Sequence, residues 1–242
     1  MPHQFDKRKP FNFKQFNVFD KRSAMKVGTD AVLLGSWVNC VKKENILDIG
    51  TGSGVIALML AQRSQAVITG VDIHKGSVED AVLNFRNSKW SSRLQVAHSS
   101  LQGYAEKCTD RFDLIVSNPP FFTNSLKSPE QLKNISKHND YLPYAELITE
   151  IRKLLADKGS YCIIIPADDY ENIIELSENA GFSLSKQLIV FPKPSKPASR
   201  VVLEFGISKP ETIIRDEIFI RNNDDSYASD YKLLTGEFYL NF

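Results

Sequence analysis

Between residues 46 and 207, short apolar runs alternate with stretches of helical period. Ile46-Leu-Asp-Ile49 is an apolar run that ends in glycines, the pattern of a buried strand. Residues 54–63 predict a helix with Val55, Leu58 and Ala61 on one face. A strand at 66–72, a helix at 75–87, a strand at 94–97, a short helix near 101–107 and a strand at 112–117 follow. A helix over 144–156, a strand over 160–165 and a helix over 169–180 come next, and Gly181 suits the C-terminal cap of that last helix. Strands at 183–192 and 200–207 end the series. Strands separated by helices predict an α/β fold: a doubly wound, mostly parallel seven-stranded sheet with helices on both faces. The last two strands are joined by Pro192, Pro194 and Pro197 without a helix, so the last strand should be antiparallel.

Composition narrows the class. The chain has 242 residues, 42% hydrophobic and 24% charged, which fits one globular domain and excludes a disordered chain or a coiled-coil rod. Apolar runs such as Gly54–Ala61 are too short to span a bilayer, so no membrane association is expected. Phe5-Asp-Lys-Arg-Lys9 offers no apolar signal region, and Cys40, Cys108 and Cys162 form no CxxC pair. The expectation is a cytoplasmic, monomeric protein with reduced thiols. His3, His74, His98 and His138 show no ligand spacing, so no metal is expected.

The net charge of +1 predicts no partner, but its distribution is uneven. Residues 1–26 carry Lys7, Arg8, Lys9, Lys14, Lys21, Arg22 and Lys26 against Asp6 and Asp20. Residues 186–200 carry Lys186, Lys193, Lys196 and Arg200 and no acid, whereas 211–230 is acidic. The two basic segments make one phosphate-binding face if the fold joins them, and solvated surface if it does not.

Two turns carry chemistry. Asp48-Ile-Gly50-Thr-Gly52-Ser-Gly54 stands where the first central strand passes into a helix, and its glycines allow backbone to approach a ligand. Asp72 ends the next strand, where a carboxylate can accept from both hydroxyls of a ribose. The third glycine is one place early for a dinucleotide pattern. S-adenosyl-L-methionine has no phosphate and needs only close backbone, hydroxyl acceptors and partners for its amino-acid end. A tight turn without a ligand is the plainer reading. Farther on, Ser117-Asn118-Pro119-Pro120-Phe121-Phe122 closes the fourth strand. Proline holds Asn118 extended and stiffens the turn. The Asn118 side-chain carbonyl and the Pro119 backbone carbonyl then form a fixed pair of acceptors for a planar NH₂ group. Phe121 or Phe122 can stack on the ring that carries it.

Asp48–Gly54, Asp72 and Asn118–Phe121 resemble the motifs of class I S-adenosylmethionine-dependent methyltransferases that act on amino nitrogens. The opening segment, Phe13-Lys-Gln-Phe16 with Met25-Lys-Val-Gly-Thr-Asp30-Ala-Val-Leu-Leu-Gly35-Ser-Trp37, resembles that of the bacterial valine-tRNA adenine-N6 methyltransferases. So does the closing segment from Tyr227 through Tyr231, Leu234, Thr235 and Phe238 to Phe242. This resemblance covers nearly the whole chain and implies a Rossmann-like fold and methylation of the adenine just 3′ of a tRNA anticodon. It implies that Asp48, Gly50 and Gly52 face the methionine portion of the donor, and that Asp72 and Ile73 hold its nucleoside. It implies catalytic roles for Asn118, Pro119 and Phe121, and a lid at Lys26, Thr29 and Asp30. The wider class I family usually has an Asp where this chain has Ser100, so the resemblance implies that the adenine contact there passes to a weaker hydroxyl. The expected organisation is one methyltransferase domain over 1–242. Residues 1–40 form a lid or RNA-facing segment, 41–207 the catalytic core, and 208–242 an appendage packed on it.

Other features keep two readings each. Lys127, Lys133, Lys137 and His138 lie in a long polar connection and either contact RNA backbone or form a solvated loop. Lys193 and Arg200, with Phe122, Lys137 and His138, are the candidate substrate-binding residues. Phe11, Phe13, Phe16 and Phe19 either stack on bases or form a hairpin on the core. Tyr227, Tyr231 and Leu234 share one helix face that should dock on the core. A protein glutamine-amide methyltransferase, another nucleic-acid amino-group methyltransferase and a non-enzymatic RNA-binding module remain as alternatives.

Overall fold

The computed structural model describes residues 9–120 and 142–241. A short hairpin, β1 (Phe11–Asn12) and β2 (Asn17–Val18), precedes helix α1 (Thr29–Trp37). Then β3 (Asn45–Ile49), α2 (Val55–Arg63), β4 (Val67–Asp72), α3 (Lys75–Arg86), β5 (Leu94–His98), α4 (Leu101–Ala105) and β6 (Phe112–Ser117) alternate. The second half holds α5 (Tyr144–Leu154), β7 (Leu155–Pro166), α6 (Tyr170–Asn179), β8 (Ser183–Phe191), β9 (Arg200–Gly206), β10 (Ile214–Phe219) and α7 (Ser229–Thr235). The main sheet runs β10-β8-β9-β7-β6-β3-β4-β5. Strand β9 is antiparallel to both neighbours, and every other pair in this sheet is parallel.

Alternation along the strands divides the apolar residues between two cores. Ile46, Leu114, Val116, Cys162 and Ile164 face one core, which holds the hairpin, α1, α2 and part of α3. Leu47, Ile49, Ile115, Ile163 and Ile165 face the other, under α4, α5 and α6.

Two elements differ from the sequence expectation. The sheet has eight strands rather than seven, because β10 adds to its edge. The strands expected at 183–192 and 200–207 do pair antiparallel, as β8 and β9, and the added β10 is parallel to its neighbour β8. Four of the six β10 residues are exposed, three of them charged, so no apolar run marked the strand. Helix α1 was hidden for the opposite reason. Ala31 to Trp37 are all buried, so the helix has no polar face and no visible period. It lies close on α2: a Cβ at Gly35 would come within 2.7 Å of Met59 Sδ.

The first and last described segments meet. Phe13 bridges to Tyr239, and the Lys14 amide donates to the Phe238 carbonyl at 2.8 Å. Phe13, Phe16, Tyr231 and Phe238 are buried together, so the hairpin and the helix face of Tyr227 and Tyr231 both pack on the core.

Candidate active site

Strands β6, β3, β4 and β5 are neighbours, and their carboxyl ends bring four turns to one edge of the sheet. A cavity of about 250 Å³ opens there. Gly50, Gly52, Asp72, Ile73, Ser100, Asn118 and Pro119 all line it, so seven residues singled out in the sequence meet in one place. Ala24, Met25, His74, Ser77 and Gln102, which the sequence reading gave no individual role, complete much of the wall.

The glycine turn has a definite geometry. Gly50, Gly52 and Gly54 have φ of +69°, +57° and +82°, a region that disfavours side chains. The Gly50 amide donates to the Val71 carbonyl at 2.8 Å, which ties the turn to β4. A Cβ at Gly50 would meet nothing within 4 Å, so this backbone faces open space. At Gly54 it would strike the Phe85 ring at 2.4 Å, so that glycine serves packing.

Asp72 receives the Gly52 amide on one oxygen and the His74 amide on the other, both at 2.8 Å. The carboxylate is thereby fixed at the cavity with lone pairs to spare for hydroxyl donors. Ile73 is 41% exposed, an apolar side chain beside that carboxylate. Ser100 accepts from the Gly103 amide at 3.1 Å and so caps α4, which occupies part of its acceptor capacity.

Asn118 follows β6, whose last residue, Ser117, donates its hydroxyl to the Ile49 carbonyl at 3.1 Å. The Asn118 Oδ1 atom is buried and has no hydrogen-bond partner among the described residues. Leaving such an acceptor unmet costs about 1–3 kcal/mol. It is therefore a place prepared for a donor. Together with the open glycine backbone and the fixed Asp72 carboxylate, it lines the cavity with backbone open to close approach and with acceptors for hydroxyl and amino groups.

Other candidates lie elsewhere. Lys26, Thr29, Asp30 and Asp48 are outside the cavity wall. Lys26 donates to the backbone carbonyls of Asp20 and Lys21, and Asp30 pairs with Arg200 Nε at 2.9 Å. Asp48 is fully buried and accepts the Thr51 hydroxyl at 2.6 Å, and burial pushes its carboxyl up to about 7. The segment 186–200 is not a free basic face, because Lys186 pairs with Asp216 and Lys193 with Asp225. Phe121, Phe122, Lys127, Lys133, Lys137 and His138 lie outside the described residues. Among the described residues no three His, Cys, Asp or Glu side chains group as a metal site, and no helix is long and apolar enough to cross a membrane.

Comparison with known proteins places the chain in a family. The methyltransferase small domain family matches residues 14–177. A tRNA1(Val) (adenine(37)-N6)-methyltransferase of Phocaeicola vulgatus is 43% identical over 96% of this chain and 97% of its own length. One of the same name from Trichodesmium erythraeum is 40% identical over 96% and 98%. Among solved structures, a predicted O-methyltransferase of Agrobacterium tumefaciens shares the fold, with a TM-score of 0.64, 17% identity, and coverage of 86% of this chain and 96% of that one. A ribosomal protein L11 methylase of Lactobacillus delbrueckii superposes with a TM-score of 0.52 and 18% identity, covering 74% and 77%. The chain belongs to the methyltransferase small domain family, within the group of the tRNA1(Val) (adenine(37)-N6)-methyltransferases.

Proposed function

We propose that this protein transfers the methyl group of S-adenosylmethionine to the exocyclic N6 of adenine 37 in a valine tRNA. The observation that carries the chemistry is the buried Asn118 Oδ1 at the edge of the cavity, which has no hydrogen-bond partner among the described residues. The position in the tRNA comes from the relatives, which bear that activity in their names. In this reading the protein acts as a cytoplasmic monomer and the whole chain forms one methyltransferase domain.

The bound donor supplies a methyl group on a positively charged sulfur, whose bond to carbon breaks as the bond to N6 forms. Gly50 and Gly52 allow backbone to lie close against its methionine portion. Asp72 holds the ribose hydroxyls, and Ile73 covers one face of the adenine. Asn118 Oδ1 and the Pro119 carbonyl accept the two N–H groups of the target adenine. An aromatic amine is a weak nucleophile because its lone pair is delocalised into the ring. Two fixed acceptors favour a more tetrahedral nitrogen and disperse the charge that develops as it attacks. The proton passes to solvent after the N–C bond has formed, so no strong base is needed beforehand. Phe121 is the proposed stacking platform. Lys26, Thr29, Asp30 and Asp48 would act from outside the wall, as supports of the donor's methionine end. Phe122, Lys137, His138, Lys193 and Arg200 are the proposed RNA contacts.

Mass spectrometry of nucleosides from undermethylated tRNA, treated with the purified protein, tests this. N6-methyladenosine at position 37 of valine tRNA is expected. Label found in protein alone would replace this reading with glutamine-amide methylation. Asn118→Ala should lower kcat about 100-fold or more, on the scale seen when a transition-state contact is lost. Donor affinity should change little.

A further inference from the structure

We infer that Asn84, together with Asp80 and Ser77 on the same face of α3, is a positioning residue. It holds the segment Phe19–Met25 as one wall of the donor cavity and couples that wall to the glycine turn. The inference deepens the proposed function and rests on it.

Ser77, Asp80 and Asn84 are spaced i, i+3 and i+7, so they share one helix face. All three are 1% exposed, which is unusual for polar side chains unless each is fully employed. Asp80 accepts the Arg22 amide at 2.6 Å, the Ser23 amide at 2.9 Å and the Ser23 hydroxyl at 3.1 Å. Ser77 Oγ accepts the Ala24 amide at 3.3 Å. Asn84 accepts the Phe19 amide and donates to the Phe19 carbonyl, both at 2.8 Å. Its amide also donates to the Ser53 carbonyl at 2.8 Å, inside the glycine turn. One amide group therefore fastens the N-terminal segment and the glycine turn to each other. Gly76 permits the contact, because a Cβ there would lie 2.5 Å from the Arg22 carbonyl oxygen.

This segment ends at the cavity. Ala24 and Met25 line it, and Met25 is 45% exposed, so its side chain has little other packing to hold it. The loop behind it is closed by the Val27 amide, which donates to the Asp20 carboxylate at 2.9 Å. The wall is thus set by hydrogen bonds from α3 and not by burial of Met25.

The test compares full-length wild type, Asn84→Asp and Met25→Ala. Asn84→Asp keeps the acceptor for Phe19 and removes both donors. Titration calorimetry with S-adenosylmethionine should show Kd raised about tenfold for Asn84→Asp, the equivalent of ~1.4 kcal/mol. Met25→Ala, which leaves the core intact, should raise Kd severalfold without lowering the melting temperature. In both, KM for the donor should rise while kcat and KM for tRNA stay within about twofold. Amide exchange at Phe19, Arg22 and Ser23 should quicken in Asn84→Asp alone. A purely structural role would lower the melting temperature of Asn84→Asp and leave Kd unchanged at temperatures where it is folded, and that result overturns the inference. Unchanged Kd in Met25→Ala likewise removes Met25 from the wall. Failure of the wild type itself to bind the donor would refute the proposed function instead.

Discussion

Replacing Asp48 by Asn should shift stability in favour of the variant by an amount that grows with pH. Asp48 lies at the end of β3 with none of its surface exposed, and the Thr51 hydroxyl donates to it at 2.6 Å. Burial is the main force on its proton and raises the carboxyl from 3.8 to about 7, with the nearby Asp72 charge adding to the effect. The Thr51 hydrogen bond and the nearby Ala57 backbone pull the other way without cancelling it. Because the folded value lies above the unfolded one, the native state keeps a proton that the unfolded chain has lost. Stability from this group is therefore full below the unfolded value and is lost as pH rises to the folded one. Each pH unit in that window removes ~1.4 kcal/mol, so about 3 kcal/mol disappears between pH 5 and pH 8. Asparagine keeps the shape and the acceptor for Thr51 and has no proton to lose. Urea unfolding of both proteins at several pH values measures the effect, since other titrating groups cancel in the difference. Curves that stay parallel from pH 5 to pH 8 would show that Asp48 is ionised throughout and that its burial is compensated in another way.

Gly54→Ala puts a methyl group at φ +82° and 2.4 Å from the Phe85 ring, so chemical denaturation should show a loss of about 2–4 kcal/mol. Gly50→Ala meets no neighbour and should cost about 1 kcal/mol of stability, yet calorimetry should show a marked loss of donor binding, because the methyl group enters the cavity. Asp225→Asn frees Lys193, now held at 2.5 Å, so tRNA should bind more tightly and the salt slope of log K should steepen by about one. Phe238→Ala empties a site 1% exposed between the two chain ends and should cost about 3–5 kcal/mol in urea unfolding.

What the sequence disclosed follows from where each residue's partners lie. Strand β6 could be read to the residue, because Phe112–Ser117 is an apolar run with a turn after it. The cavity was legible for the same local reason: Gly50, Gly52, Asp72 and Asn118 each end or follow a strand, and parallel strands carry those ends to one edge. Helix α1 was hidden because it is buried on all sides, and β10 because it is polar on an exposed edge. The polar row of α3 did leave a trace. Ser77, Asp80 and Asn84 stand beside Ala81 and Phe85 on the stripe that a core-facing helix normally reserves for apolar residues. Polar residues there need partners from a distant part of the chain, and Phe19 to Ala24 supply them.

Charge shows most clearly why local reading stops short of the RNA. Along the chain, 186–200 is basic and 211–230 is acidic, and they look like separate surfaces. The parallel pairing of β10 with β8 lays one against the other, with Asp216 in register with Leu188, two places along from Lys186. Asp216 and Asp225 then pair with Lys186 and Lys193, while Asp30 from α1 takes Arg200. Three of the four cations in that segment are so engaged, and the fourth, Lys196, has no ion pair among the described residues. A phosphate that approaches this face must compete with a carboxylate already in place, which favours selective contact over general attraction to nucleic acid. Recognition of one tRNA therefore has to draw on shape around the cavity mouth, where Asn118 and Pro119 stand, as much as on charge.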